Sequence, residues 1–109
     1  MAKRTDEGVL VHEIPKNTEV FGTITWEAGT SLAKFFAWST IRGLSMSEHR
    51  VLELGAGTGV LGLTLGKLGA KVTMTDNEHL LLPLLQRNID ANMLGGKVDV
   101  VRLDWADPQ

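Results

Sequence analysis

Residues 51–59 read Val-Leu-Glu-Leu-Gly-Ala-Gly-Thr-Gly, and no other stretch constrains the fold as strongly. Strand-forming residues run straight into a turn with glycine at 55, 57 and 59. Glycine serves where the backbone takes positive φ or must approach a ligand closely. A buried strand, a sharp turn and a helix starting at Val60 follow. The N-terminus of such a helix presents free N–H groups and partial positive charge, so the turn is a cradle for a polar or anionic group.

The rest of the chain supplies the matching elements. Residues 60–68 are apolar and small, a helix that packs closely on a sheet and ends at Gly69. A second strand spans 71–75 and ends in Asp76-Asn77. Residues 79–93 place Leu81, Leu84, Leu85, Asn88, Ile89 and Asn92 at helical spacing, with Pro83 in the first turn and Gly95-Gly96 as the stop. A third strand, 98–103, ends in Asp104-Trp105. Strands alternating with helices imply a parallel sheet in an α/β fold of Rossmann-like type. Upstream, 9–14 and 19–25 are rich in β-formers around a turn at 15–18, which predicts an N-terminal hairpin. Residues 30–41 have helical spacing, with Trp38 expected in the core. The division is 1–8 flexible, 9–25 hairpin, and 26–109 a helix followed by β-α-β-α-β, all in one domain.

Composition narrows the classes. The formal net charge is −2 and the basic residues are scattered, so neither nucleic acid nor an anionic membrane is an expected partner. With no cysteine, thiolate zinc sites and a cysteine nucleophile are excluded. His12, His49 and His79 have no ligand-like spacing and are expected at the surface or in loops, and no metal is expected. The N-terminus has no apolar signal core, and no stretch approaches the roughly 20 apolar residues of a membrane span. A cytoplasmic location, with the nucleus as a second compartment, is the expectation.

In open α/β sheets, ligands bind beyond the C-terminal ends of the strands. Here those ends carry the glycine turn, Asp76 and Asp104-Trp105. Asp76 follows Gly55 by 21 positions, close to the spacing at which an acid reaches ribose hydroxyls. Trp105 offers a flat face for adenine. The dinucleotide pattern needs a small residue where Val60 stands, and Glu53 would repel a pyrophosphate. Glu53 suits the cationic amino group of S-adenosylmethionine instead.

The whole set resembles the class I, seven-strand S-adenosylmethionine-dependent methyltransferases. More narrowly it resembles the methyltransferase-like protein-lysine methyltransferases of family 16. The similarity runs from about Gly22 onward through Thr25-Trp26-Glu27-Ala28, the 51–59 motif, 72–76, 82–89 with Asn92, and Leu103-Asp104-Trp105. It implies that Trp26 contacts the cofactor and that Gly55, Ala56 and Gly57 lie along its methionine part. Asp76 binds the ribose, and Asp104 and Trp105 frame the adenine. Glu53, Thr58, Gly59 and Asn77 complete the expected cofactor-binding set.

The implied reaction is transfer of the sulfonium methyl to a protein lysine, through proximity and desolvation rather than a dedicated acid or base. A chaperone, ATPase or translation factor is the implied substrate class. The family's sheet continues beyond Gln109 with an acidic-x-x-Tyr motif, so a C-terminally incomplete domain is expected. Strand 51–54 then becomes an apolar edge open to association. Two alternatives stand beside the enzyme: a non-catalytic cofactor-binding or interaction module, and a nicotinamide-dependent oxidoreductase, which Val60 and Glu53 disfavour.

Overall fold

The computed structural model describes residues 2–14, 22 and 24–107. In chain order its elements are β1 (Ala2–Arg4), β2 (Leu10–His12), α1 (Glu27–Ile41), β3 (Arg50–Glu53), α2 (Val60–Lys67), β4 (Lys71–Asp76), α3 (Leu81–Ala91) and β5 (Val98–Arg102). The last three strands form a parallel sheet in the order β3-β4-β5. Parallel neighbours need long crossovers, and α2 and α3 supply them.

One face of this sheet is the core. Val72 and Met74 alternate along β4 and are buried, as period-2 patterning requires. Over them lies α2, close because Gly62 and Gly66 have no side chain. A Cβ on Gly62 would sit 2.6 Å from Met74 Sδ, and one on Gly66 would overlap Val98 Cγ2. Leu63 of α2 with Leu85 and Ile89 of α3 completes the packing. The opposite face is open: Leu52 and Val101 are 62% and 51% exposed. Among the described residues β3 pairs only with β4, so its other edge has no strand partner among them, as expected for 51–54.

The N-terminal hairpin differs from the expected one. β2 pairs antiparallel with the upstream β1, Lys3 opposite Val11, where a downstream partner, 19–25, was expected. Residues 2–4, expected to be flexible, are therefore a strand. A turn closes between Thr5 and Gly8, where Gly8 has φ +84 and its N–H donates to Thr5 O at 2.9 Å. The other edge of β2 is already taken. Asn92 Oδ1 accepts from Leu10 N at 2.7 Å and Asn88 Oδ1 from His12 N at 2.8 Å. Two amide side chains one helical turn apart thus occupy the edge that a downstream strand would need. Residues 15–21 and 23 of the expected hairpin lie outside the described residues, and Gly22, Ile24 and Thr25 are not in strands.

Two helical details also differ. Trp38 is 56% exposed, with the Arg42 guanidinium 5.0 Å above its ring. Helix α1 docks on α2 through small residues, Ala33 being its buried member. Trp38 lies five positions on, about 140° around the helix, and so faces away. Helix α3 stops before the glycine pair. Met93 takes φ +55, Met93 N donates to Asp90 O at 3.1 Å and Leu94 N to Ile89 O at 3.1 Å, a Schellman ending.

Candidate functional site

The turn after β3 has the backbone that its glycines permit: φ is +64 at Gly55, +61 at Gly57 and +88 at Gly59. It is tied to the neighbouring strand at two points. Ala56 N donates to Thr75 O at 2.9 Å, and Gly57 N donates to Asp76 Oδ2 at 3.1 Å. The carboxylate at the end of β4 therefore holds the middle of the glycine turn. Its other oxygen accepts Glu78 N at 3.2 Å. Each carboxylate oxygen has two acceptor positions, so Asp76 retains capacity for further donors.

The N-terminal segment crosses above the turn. Thr58 is buried, and its hydroxyl lies 2.8 Å from that of Thr25. Thr25 N donates to Glu13 Oε2 at 2.5 Å, and Lys3 Nζ stands 3.3 Å from the same oxygen. Burial pulls the Glu13 carboxyl upward, but the Thr25 and Lys3 interactions outweigh it and hold its pKa below the ordinary value. This anchoring sets where Trp26 and α1 begin.

Between α1 and the turn lies a cleft of about 920 Å³, near the upper end for small-molecule sites. Trp26, Leu32 and Phe36 form one wall, residues 53–58 the other, and Asp76 with Glu78 one end. The walls are mostly apolar and the polar groups few and convergent. Glu53 is the most perturbed of them. Its Oε1 accepts Gly62 N at 3.1 Å. Burial raises its pKa to about 7 and the nearby Asp76 charge adds to this, against the opposing Gly62 bond. A cation entering the cleft would favour the ionised form.

Of the residues expected to bind a cofactor, Trp26, Glu53, Gly55, Ala56, Gly57, Thr58 and Asp76 line this cleft. Four others lie elsewhere. Gly59 turns inward as the N-cap of α2, where a Cβ would meet Leu85 Cδ2 at 2.9 Å. Asn77 points its carbonyl at Arg102 Nε, 3.3 Å away. Asp104 accepts Ala106 N at 2.9 Å and bridges to Asp107, so its turn folds back on itself. Trp105 is 71% exposed and stands over Gly55, its Cζ2 3.7 Å from where a Cβ would be. The cleft also includes Glu78, legible as a second acid two places beyond Asp76. Gly22, Ile24 and Leu81 line it too, and no local signal marks them.

Comparison with known proteins agrees with this geometry. The model of a family described as lysine methyltransferase matches residues 5–109. Protein N-lysine methyltransferase METTL21A of Danio rerio is 36% identical over 87 residues, covering 77% of this chain and 38% of that protein. EEF1A lysine methyltransferase 3 of Xenopus tropicalis is 36% identical over 81 residues, covering 73% and 34%. The chain thus spans little more than a third of the length of these relatives. A Pyrococcus abyssi tRNA (uracil-54, C5)-methyltransferase in complex with S-adenosyl-L-homocysteine superposes with a TM-score of 0.68 over 95% of this chain and 24% of that one. At 18% identity that likeness speaks for the fold alone. The glycopeptide N-methyltransferase MtfA complexed with sinefungin reaches a TM-score of 0.53 at 32% identity, over 70% of this chain and 30% of that one. With the family model covering all but the first four residues, the chain belongs to the lysine methyltransferase family.

Proposed function

We propose that the cleft binds S-adenosylmethionine and that the chain is the cofactor-binding part of a protein-lysine N-methyltransferase. One observation carries the reading. Three left-handed glycines form a turn whose centre is held by the Asp76 carboxylate, with Glu53 half-buried behind it and an apolar wall opposite.

The residues fit the group. The unused acceptor positions of Asp76 suit a ribose diol, and Gly55 and Gly57 keep the turn free of side chains along the rest of the ligand. Glu53, ionised beside a cation, suits the amino group of the methionine part. Trp105 over Gly55 offers a face for the adenine, and Asp104 stands beside it in sequence. When bound, the cofactor supplies an electrophilic methyl group on its sulfonium. The chain's own contribution is to orient and to desolvate: Trp26, Leu32 and Phe36 exclude water from one side, and the turn fixes the other. The acceptor is a protein lysine. Relatives named as EEF1A lysine methyltransferases support a substrate of that kind.

A nicotinamide cofactor fits less well. Val60 is 4% exposed and packs on α1, where a Cβ on Gly29 would lie 2.9 Å from it, so no room remains at the third position of the dinucleotide pattern. Calorimetric titration with S-adenosylmethionine and with NAD tests the reading. Heat with the first alone is expected. No heat with it, or equal binding of both, overturns the proposal.

A further inference from the structure

Asn88 is a fully engaged buried polar side chain. It is 0% exposed. Its Oδ1 accepts His12 N at 2.8 Å, and its Nδ2 donates to His12 O at 3.2 Å and to Thr58 O at 2.8 Å. A primary amide has two hydrogens to give, and here one goes to the hairpin and one to the glycine turn. Asn92, a turn further along α3, supplies the contrast. It clamps Leu10 at both N and O, each at 2.7 Å, but its remaining hydrogen goes to Asn88 O of its own helix at 2.7 Å. Both amides dock the hairpin, and Asn88 also reaches the turn.

The Thr58 carbonyl belongs to the residue between two left-handed glycines, Gly57 and Gly59. A buried carbonyl there has no strand or helix ladder of its own to join, so its partner sets the tilt of the peptide plane. The circuit then closes on itself. From Asn88 it passes through Thr58 to Thr25 by paired hydroxyls, on to the Glu13 carboxylate, and back to His12, the neighbour of Glu13 in the chain. Only an amide of this length serves. Aspartate would set a carboxylate against two carbonyls, and leucine would leave the buried Thr58 O and the part-buried His12 N and O without this partner.

We propose that Asn88 is a positioning residue for the glycine turn, and that through it docking of the N-terminal hairpin and occupancy of the cleft are coupled. The second part rests on the S-adenosylmethionine reading above; the first does not. Coupling of this kind is reciprocal: what binds the turn steadies the hairpin, and the reverse.

The test is amide hydrogen exchange on the full 109-residue chain, comparing wild type, Asn88→Ala and Asn92→Ala with and without S-adenosylmethionine. In the free protein, both variants speed exchange at Leu10 and His12 by tenfold or more. Only Asn88→Ala speeds it at Gly57, Gly59 and Val60, and only Asn88→Ala weakens S-adenosylmethionine binding by fivefold or more. Added S-adenosylmethionine slows exchange at His12 in wild type and not in Asn88→Ala. Equal turn exchange in the two variants overturns the positioning role. An unchanged His12 amide in a wild type saturated with S-adenosylmethionine overturns the coupling. If Asn88→Ala does not fold, Asn88→Ser, which keeps one small hydroxyl in place of the amide, is judged by the same comparison. A wild type that binds no S-adenosylmethionine refutes the cofactor reading and with it the coupling, while turn exchange in the free protein still decides the positioning role.

Discussion

Replacing Glu53 by glutamine sets the stability of the fold against the chemistry of the site. Glutamine keeps the shape and an oxygen to accept from Gly62 N, now 3.1 Å away. It removes a charge that burial and Asp76 both disfavour. In the folded chain the Glu53 carboxyl titrates at about 7 against an ordinary 4.5. Between those two values the native state holds more protons than the unfolded state. Wild-type stability therefore falls as pH rises through this window, and the loss is complete above about pH 7. At about 1.36 kcal/mol per pH unit, the displacement is worth about 3 kcal/mol. Glutamine does not titrate, so the stability of Glu53→Gln relative to wild type should rise by up to about 3 kcal/mol between pH 4.5 and pH 8. Urea unfolding followed by circular dichroism, without cofactor, measures it. A gap between the two proteins that is the same at both pH values refutes the reasoning. At pH 8 the same substitution should weaken S-adenosylmethionine binding, so that the variant is the more stable protein and the poorer binder.

Asp76→Ala removes a charged acceptor from the cleft and should weaken S-adenosylmethionine binding by about 10- to 100-fold, the equivalent of about 1.5–3 kcal/mol. Calorimetry with an unchanged far-ultraviolet spectrum checks it, and undiminished affinity would show that the ribose lies elsewhere. Gly62→Ala improves helix propensity by about 1 kcal/mol. It also drives a Cβ to 2.6 Å from Met74 Sδ and 2.7 Å from Glu53 Oε1. Overpacking of about 1–3 kcal/mol should win, and a raised denaturation midpoint would contradict the close packing of α2. Met93→Gly should stabilise by up to about 1 kcal/mol, because Met93 is 91% exposed and sits at φ +55. A lower melting temperature would count against the Schellman ending.

The parallel unit from β3 to β5 was legible because its signals are local. Alternation in 71–75, the helical spacing of Leu81, Leu84, Leu85 and Ile89, and three glycines in a row of five need no partner to be read. The hairpin was not legible. Residues 9–14 have strand composition, but composition does not name a partner, and the free edge of β2 is closed by side chains 76 and 82 positions away. Trp38 was misplaced because aromatic content suggests burial, whereas the docking face of α1 is set by Gly29 and Ala33. Asp104 and Trp105 sit at the strand end that the motif implies. Which way a short turn folds after that end depends on hydrogen bonds such as Ala106 N to Asp104 Oδ1.

By itself the sequence determined the order of strands and helices from β3 to β5, the left-handed turn at Gly55, Gly57 and Gly59, and the acid that faces it, since backbone preference and hydrophobic period act within a few residues. The tertiary structure alone decided which edge of β2 is capped, how far Glu53 is lifted from its ordinary pKa, and that Asn88 joins hairpin to turn. Those properties depend on burial and on partners distant in the chain, and burial exists only once the chain has closed on itself.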